Sequence, residues 1–149
     1  METTAIQVRA LSELDIGDIV RIAERTRHAY RPELWEDRVT YYLRRDPEGS
    51  VVAESGGRVV GFMLGDVRAG EFGIEEPCGW IEVIGVDPDC GGRGIGRALG
   101  EAMLKRFRER GVERVRTMVD RSMPDVERFF ESLGFSADTL RSFVKRVHD

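Results

Sequence analysis

Gly91, Gly92, Gly94 and Gly96 crowd one short turn between an apolar run, Trp80 to Val86, and an amphipathic run that begins at Ile95. Glycines in that position hold phosphate by backbone alone. The first amides of a helix have no intrahelical acceptor, the helix dipole adds partial positive charge to them, and absent side chains let a pyrophosphate come close. Arg93 and Arg97 flank the turn, within reach of a pyrophosphate or a ribose phosphate. One carboxylate, Glu82, interrupts the preceding apolar run. Strict alternation puts it on a face with Trp80, Ile84 and Val86, an apolar setting that raises a carboxyl pKa towards neutrality and suits a general base acting directly or through water. The plainer reading is a strand carboxylate satisfied by a nearby arginine.

The flanking elements follow from periodicity. Trp80–Val86 predicts a buried strand that Pro88 stops by withdrawing a ladder donor. Ile95, Leu99, Met103 and Phe107 recur every fourth residue, predicting a helix that Gly111 ends. Upstream, Ile6–Arg9 alternates as a strand, Ser12–Asp15 forms a capping box for a helix to about Arg27, and Pro32 opens a second helix that closes at Asp46–Gly49. A hairpin of Val51–Ala53 and Val59–Leu64 turns at Gly56-Gly57, and residues 67–79 are expected to form an acidic loop. Downstream come a strand over 112–119, a helix capped at Ser122–Asp125, and a last strand over 142–147.

The glycine turn alone fits several nucleotide-binding folds. A triphosphate loop needs Gly-Lys-Ser or Gly-Lys-Thr, and Gly96 is followed by Arg97-Ala98. A dinucleotide fingerprint can be laid on Gly92, Gly94 and Gly96 or on Gly94, Gly96 and Gly100, with Asp120 after the next strand, although residues 87–90 lengthen a turn that is tight in that fold. Cys78 and Cys90 have no metal spacing, and His28 and His148 are isolated, so no metal is expected. Cys90 borders the helix start, where a dipole can activate a thiol, yet no histidine accompanies it and a reduced thiol is the ordinary reading.

Two segments together carry a resemblance. Val86-Asp87-Pro88 followed by Gly91 to Gly96, and Val126–Phe135 ending in Gly134-Phe135, resemble the acetyl-CoA motif and the Gly-Phe helix of the GCN5-related N-acetyltransferase superfamily. The resemblance covers essentially the whole chain. It implies an α/β (α+β) fold with a mixed, mostly antiparallel sheet flanked by helices, and a splayed pair of strands that holds acetyl-CoA. It further implies that Ile84, Gly85 and Val86 bond the pantetheine arm, that Gly91, Gly92, Arg93, Gly94, Ile95, Gly96 and Arg97 bind the diphosphate, and that Phe130 lies against the thioester or the core. Backbone amides of the strand would stabilise the oxyanion of a direct transfer to an amine. The chain departs from the family pattern at three positions. Gly91 stands at the usual Gln or Arg, Phe130 where many members carry a Tyr proposed as general acid, and Met123 at the usual Asn. By the same analogy Tyr30, Trp35, Tyr41, Tyr42, Glu71, Glu75 and Glu76 are available to an amine acceptor, small molecule or protein, and a homodimer is allowed.

Composition bounds the class. The 149 residues suit one domain, residues 1–149, and 41% hydrophobic against 34% charged residues is the balance of an ordinary folded protein. A net charge of −4 argues against a nucleic-acid partner, and no apolar run spans a bilayer. The N-terminus lacks the pattern of an export signal, so the cytoplasm is the expected location. The expected activity is that of an acetyl-CoA-dependent N-acetyltransferase. Its rivals are a non-catalytic acyl-CoA sensor, suggested by the three departures, and a dinucleotide-binding oxidoreductase.

Overall fold

The computed structural model describes residues 5–148. The chain divides into two compact units, residues 1–118 and 119–149. In the first, the strands β1 (Gln7–Ala10), β2 (Val51–Ser55), β3 (Arg58–Arg68), β4 (Cys78–Val86) and β5 (Val115–Thr117) form one sheet in the order of the chain. Neighbours are antiparallel except β4 and β5, which are parallel. Helices α1 (Ile16–Arg27) and α2 (Pro32–Arg45) share a core with one face of the sheet, where Ile19, Ile22, Trp35, Val39 and Tyr42 pack with Phe62, Leu64 and Val83. The capping box forms as expected, Ser12 accepting from Leu14 and Asp15 accepting from the Ser12 amide.

Helix α3 (Ile95–Glu109) covers the opposite face. It sits close because the sheet is bare beneath it. A side-chain carbon added at Gly61 would meet Ile95 at 2.7 Å, and one at Gly79 would meet Phe107 at 2.8 Å.

One loop is shorter and one strand is shorter than the sequence predicts. β3 runs on to Arg68 and β4 begins at Cys78, so the acidic loop shrinks to residues 69–77. The polar alternation of Asp66 and Arg68 after Leu64 continues the strand's period of two. Conversely, β5 covers three residues of the expected 112–119, because only Val115, Arg116 and Thr117 find partners, on Gly79, Trp80 and Ile81.

In the second unit, α4 (Pro124–Ser132) starts on Pro124 without a side-chain cap; the Ser122 amide and hydroxyl bond Asp120 instead. Gly134, at φ +96°, turns the chain so that Phe135 donates its amide to Phe130 and sets its ring edge-to-face against that of Phe130, centroids 5.3 Å apart. This is the physical content of the Gly-Phe signature. The strand expected over 142–147 does not form: the segment has no ladder partner among the described residues, and Phe143 and Val144 lie exposed.

The junction of β4 with the glycine turn is pinned to α1. The buried Asp87 carboxylate accepts from Arg21 at 2.7 Å, Arg25 at 3.0 Å and the Asp89 amide at 3.0 Å, while the Asp87 amide donates to Val60 at 2.8 Å. Burial pushes the Asp87 carboxyl up, but the Arg21 bond, the Asp89 amide and both guanidinium charges outweigh it and hold it below the usual range. Asp87→Asn is expected to cost about 1–2 kcal/mol at neutral pH, discounted because both arginines are partly exposed. A depressed folded pKa gives stability that is full above the unfolded value, about pH 4, and is lost as pH falls through the folded value. Urea unfolding of wild type and variant should therefore show a gap at pH 7 that closes in acid.

Candidate active site

The glycine turn is open and left-handed. Gly92 and Gly94 have φ of +78° and +73°, a region that side chains disfavour, and no heavy atom lies within 4 Å of where their Cβ would stand. The open space and the left-handed backbone together make a cradle. The first intrahelical bond of α3 runs from the Ala98 amide to the Gly94 carbonyl, 3.0 Å, so the amides of Ile95, Gly96 and Arg97 precede the helical ladder. Gly91 has an ordinary φ of −60° and is exposed, so nothing in its conformation demands glycine.

The side chains around the turn are placed unequally. Ile95 is buried under the sheet and offers only its backbone. Arg93 donates to the Ser55 hydroxyl at 3.0 Å, and Arg97 pairs with Glu101 at 3.0 Å along the exposed face of α3. Phe130 is buried against Phe129 and Phe135 in the second unit.

β4 has two properties that matter chemically. It pairs with β5 only from Gly79 to Ile81, so from Glu82 to Val86 that edge carries no strand among the described residues. On its other edge Leu64 pairs with Val83 and Gly65 with Ile81, which makes Glu82 the extra residue of a β-bulge. The bulge corrects the expected alternation. Val83 packs in the core with Trp35 and Val39, and the Glu82 carboxylate meets Tyr42 of α2, so both face the helix pair. Val86 pairs with Gly61, which faces Ile95 and Leu99, so Val86 and, two residues before it, Ile84 face α3.

Glu82 is therefore not in an apolar setting. Tyr42 donates its hydroxyl to one carboxylate oxygen, and Arg68 donates to the other. Arg68 also donates to the buried Asp66 at 2.7 Å, and Asp66 pairs in turn with Arg45 at 2.5 Å. Burial pushes the Glu82 carboxyl up, but the Tyr42 and Arg68 bonds and the charges of Arg68 and Arg38 prevail and hold it below the usual carboxylate range. The expected shift towards neutrality is overturned in sign. Tyr42 moves the other way, raised by burial and by its bond to Glu82.

The remaining acceptor residues divide. Trp35 and Tyr42 belong to the core, and Tyr30 and Tyr41 are exposed. Glu75 and Glu76 are exposed, Glu76 facing Arg114 at 3.9 Å, and Glu71 is half-buried. Cys90 is a half-buried free thiol. Among the described residues no group of three or more His, Cys, Asp or Glu could hold a metal, and no helix is long and apolar enough to cross a membrane. Sequence reasoning missed Asp66, Arg68 and the Arg21–Arg25–Asp87 cluster. The alternation after Leu64 could have extended β3 to the first two; no local pattern points to the third.

The sheet thus carries β4, bulged at Glu82 and without a strand partner on one edge beyond Ile81 among the described residues, ahead of an open glycine turn at the start of α3. The profile of the acetyltransferase (GNAT) family matches residues 16–135, and the chain belongs to that family. A mycothiol acetyltransferase of Thermobispora bispora is 41% identical over 68% of this chain and 34% of its own length. One of Thermomonospora curvata is 40% identical over 61% of this chain and 29% of its own. The chain thus spans about a third of the length of these curated relatives. Among solved structures, an aminoglycoside N-acetyltransferase in complex with CoA superposes with a TM-score of 0.83 at 15% identity, covering 99% of this chain and 98% of that one. Ard1 from Thermoplasma volcanium superposes at 0.77 with 27% identity over 91% and 85%.

Proposed function

We propose that this chain is an acetyl-CoA-dependent N-acetyltransferase, working in the cytoplasm, that moves the acetyl group directly to an amine of a small molecule or protein. One observation carries the reading: among the described residues β4 has no strand partner on one edge from Glu82 to Val86, and the chain passes from it through a short 3-10 turn, Pro88–Cys90, into the open glycine turn at the start of α3. The residues fit the cosubstrate. Ile84, Gly85 and Val86 would bond the pantetheine arm, and the turn from Gly91 to Arg97 would hold the diphosphate, with the amides of Ile95, Gly96 and Arg97 as donors. When bound, acetyl-CoA supplies a thioester carbonyl activated for attack and a thiolate leaving group. Glu82, as an anion, would receive the proton that the amine nitrogen sheds as the C–N bond forms. The family profile crosses both compact units, which supports reading residues 1–149 as one acetyltransferase domain.

Calorimetry with acetyl-CoA, coenzyme A and NAD, followed by thiol release with a panel of amines, tests the reading. Saturable acetyl-CoA binding with amine-dependent thiol release is the expected result. Binding without release across the panel would favour an acyl-CoA sensor, and NAD binding without coenzyme A competition would overturn the assignment.

A further inference from the structure

Glu82 has more partners than a mobile proton acceptor needs. Both of its oxygens are taken by donors, Tyr42 from α2 and Arg68 from β3. Arg68 is fixed in turn by Asp66, which is 2% exposed and also held by Arg45 of α2, and Arg38 adds a further positive charge from the same helix. The row Arg45–Asp66–Arg68–Glu82–Tyr42 links three elements and leaves Glu82 with little freedom to turn. A carboxylate so held is a stable anion and a weak base.

We propose that Arg68 and Tyr42 are positioning residues that lock Glu82 as a permanent anion, so that the site takes amines already partly neutral near pH 7, such as peptide α-amines, in preference to alkylammonium ions such as a lysine side chain. The inference rests on the proposed acetyltransferase activity. In the transfer, the neutral amine forms a C–N bond to the acetyl carbon, the C–S bond breaks, and the nitrogen's proton passes to Glu82. The departing thiolate takes a proton from solvent, which closes the balance. A fixed anion accepts the proton only once the new bond has made the nitrogen acidic. It does little to deprotonate the free ammonium beforehand, so the neutral fraction of the acceptor controls the rate. At pH 7 that fraction is roughly 250-fold greater for an α-amine than for a lysine side chain. The greater nucleophilicity of the more basic amine offsets part of the difference, leaving an expected preference of about tenfold or more.

The test pairs alanyl-alanine with Nα-acetyl-lysine amide at saturating acetyl-CoA, reading thiol release from about pH 4 to 9 in wild type, Arg68→Gln and Tyr42→Phe. In parallel, carbon-13 NMR titrates the Glu82 carboxyl, assigned by its loss in Glu82→Gln. Wild type should prefer the dipeptide at pH 7 by about tenfold or more, and the lysine rate should climb about tenfold per pH unit to pH 9. Arg68→Gln should move both the Glu82 titration and the acid limb of the rate upward, and Tyr42→Phe should do so less. Tyr42→Phe keeps the ring in the core and covers the case in which Arg68→Gln fails to fold.

Equal rates for the two amines at pH 7 would overturn the acceptor preference, as would failure to use either amine by a protein that binds acetyl-CoA. An unmoved Glu82 titration in both variants would overturn the positioning role, since residues acting only on stability leave it in place. Failure to bind acetyl-CoA at all would instead overturn the proposed activity, while the titration would still decide whether Arg68 and Tyr42 hold Glu82.

Discussion

Glu82→Gln is expected to lower kcat by about 100- to 1,000-fold while leaving the Kd for acetyl-CoA unchanged. The amide keeps the shape of the side chain but cannot accept the nitrogen's proton, and its NH2 group meets donors where the carboxylate accepted from both Tyr42 and Arg68. The cradle at Gly92 and Gly94 belongs to a different segment, so cosubstrate affinity should be untouched. The wild-type pH profile sharpens the test. With its folded pKa below the usual carboxylate range, Glu82 is ionised throughout the neutral region, and its protonation can depress the rate only in acid. A rise in rate between about pH 6 and 8 therefore reports the amine acceptor, and it should survive in the residual activity of Glu82→Gln. A variant within threefold of wild type would remove Glu82 from the mechanism. A variant that also loses acetyl-CoA affinity would mean that Glu82 shapes β4 rather than serving the chemistry.

The glycine turn was legible because its requirement is local. Positive φ at Gly92 and Gly94, the strand stop at Pro88 and the four-residue apolar repeat of α3 leave their mark within one stretch of chain. The polarity of Glu82 was legible for the same reason. Its surroundings were not, since its partners lie 40 and 14 residues away along the chain and are brought in by α2 and by the polar end of β3. The bulge was also invisible, because the apolar residues on either side of Glu82 satisfy a regular strand equally well. A single inserted position then moved Glu82 from the face of Ile84 and Val86 to that of Val83, and exchanged an apolar pocket for a tyrosine and an arginine. The tail failed differently. Residues 142–147 have strand composition, but a strand exists only where a neighbour supplies its ladder, and composition does not name that neighbour.

Gly94→Asp is expected to raise the Kd for acetyl-CoA by at least about 100-fold without unfolding the protein. Two properties of the position separate affinity from stability. Aspartate tolerates positive φ better than most residues and is favoured where a helix begins, and a Cβ at Gly94 meets no heavy atom within 4 Å. The melting temperature should stay within about 4 °C of wild type. A new carboxylate at Gly94 would stand beside a diphosphate bound by the amides of Ile95, Gly96 and Arg97, at a separation on the order of 5 Å. At an effective dielectric near 20, one such pair repels by about 3–4 kcal/mol, far more than the strain of the substitution. Gly94→Asn is the control, matching the shape and backbone preference without the charge, and should weaken binding by less than about tenfold. Raising salt should recover part of the affinity lost by Gly94→Asp and little of that lost by Gly94→Asn, because only the first loss is electrostatic. Equal weakening by both variants would mean that the cradle selects by shape, and unchanged affinity in both would place the diphosphate elsewhere on the protein.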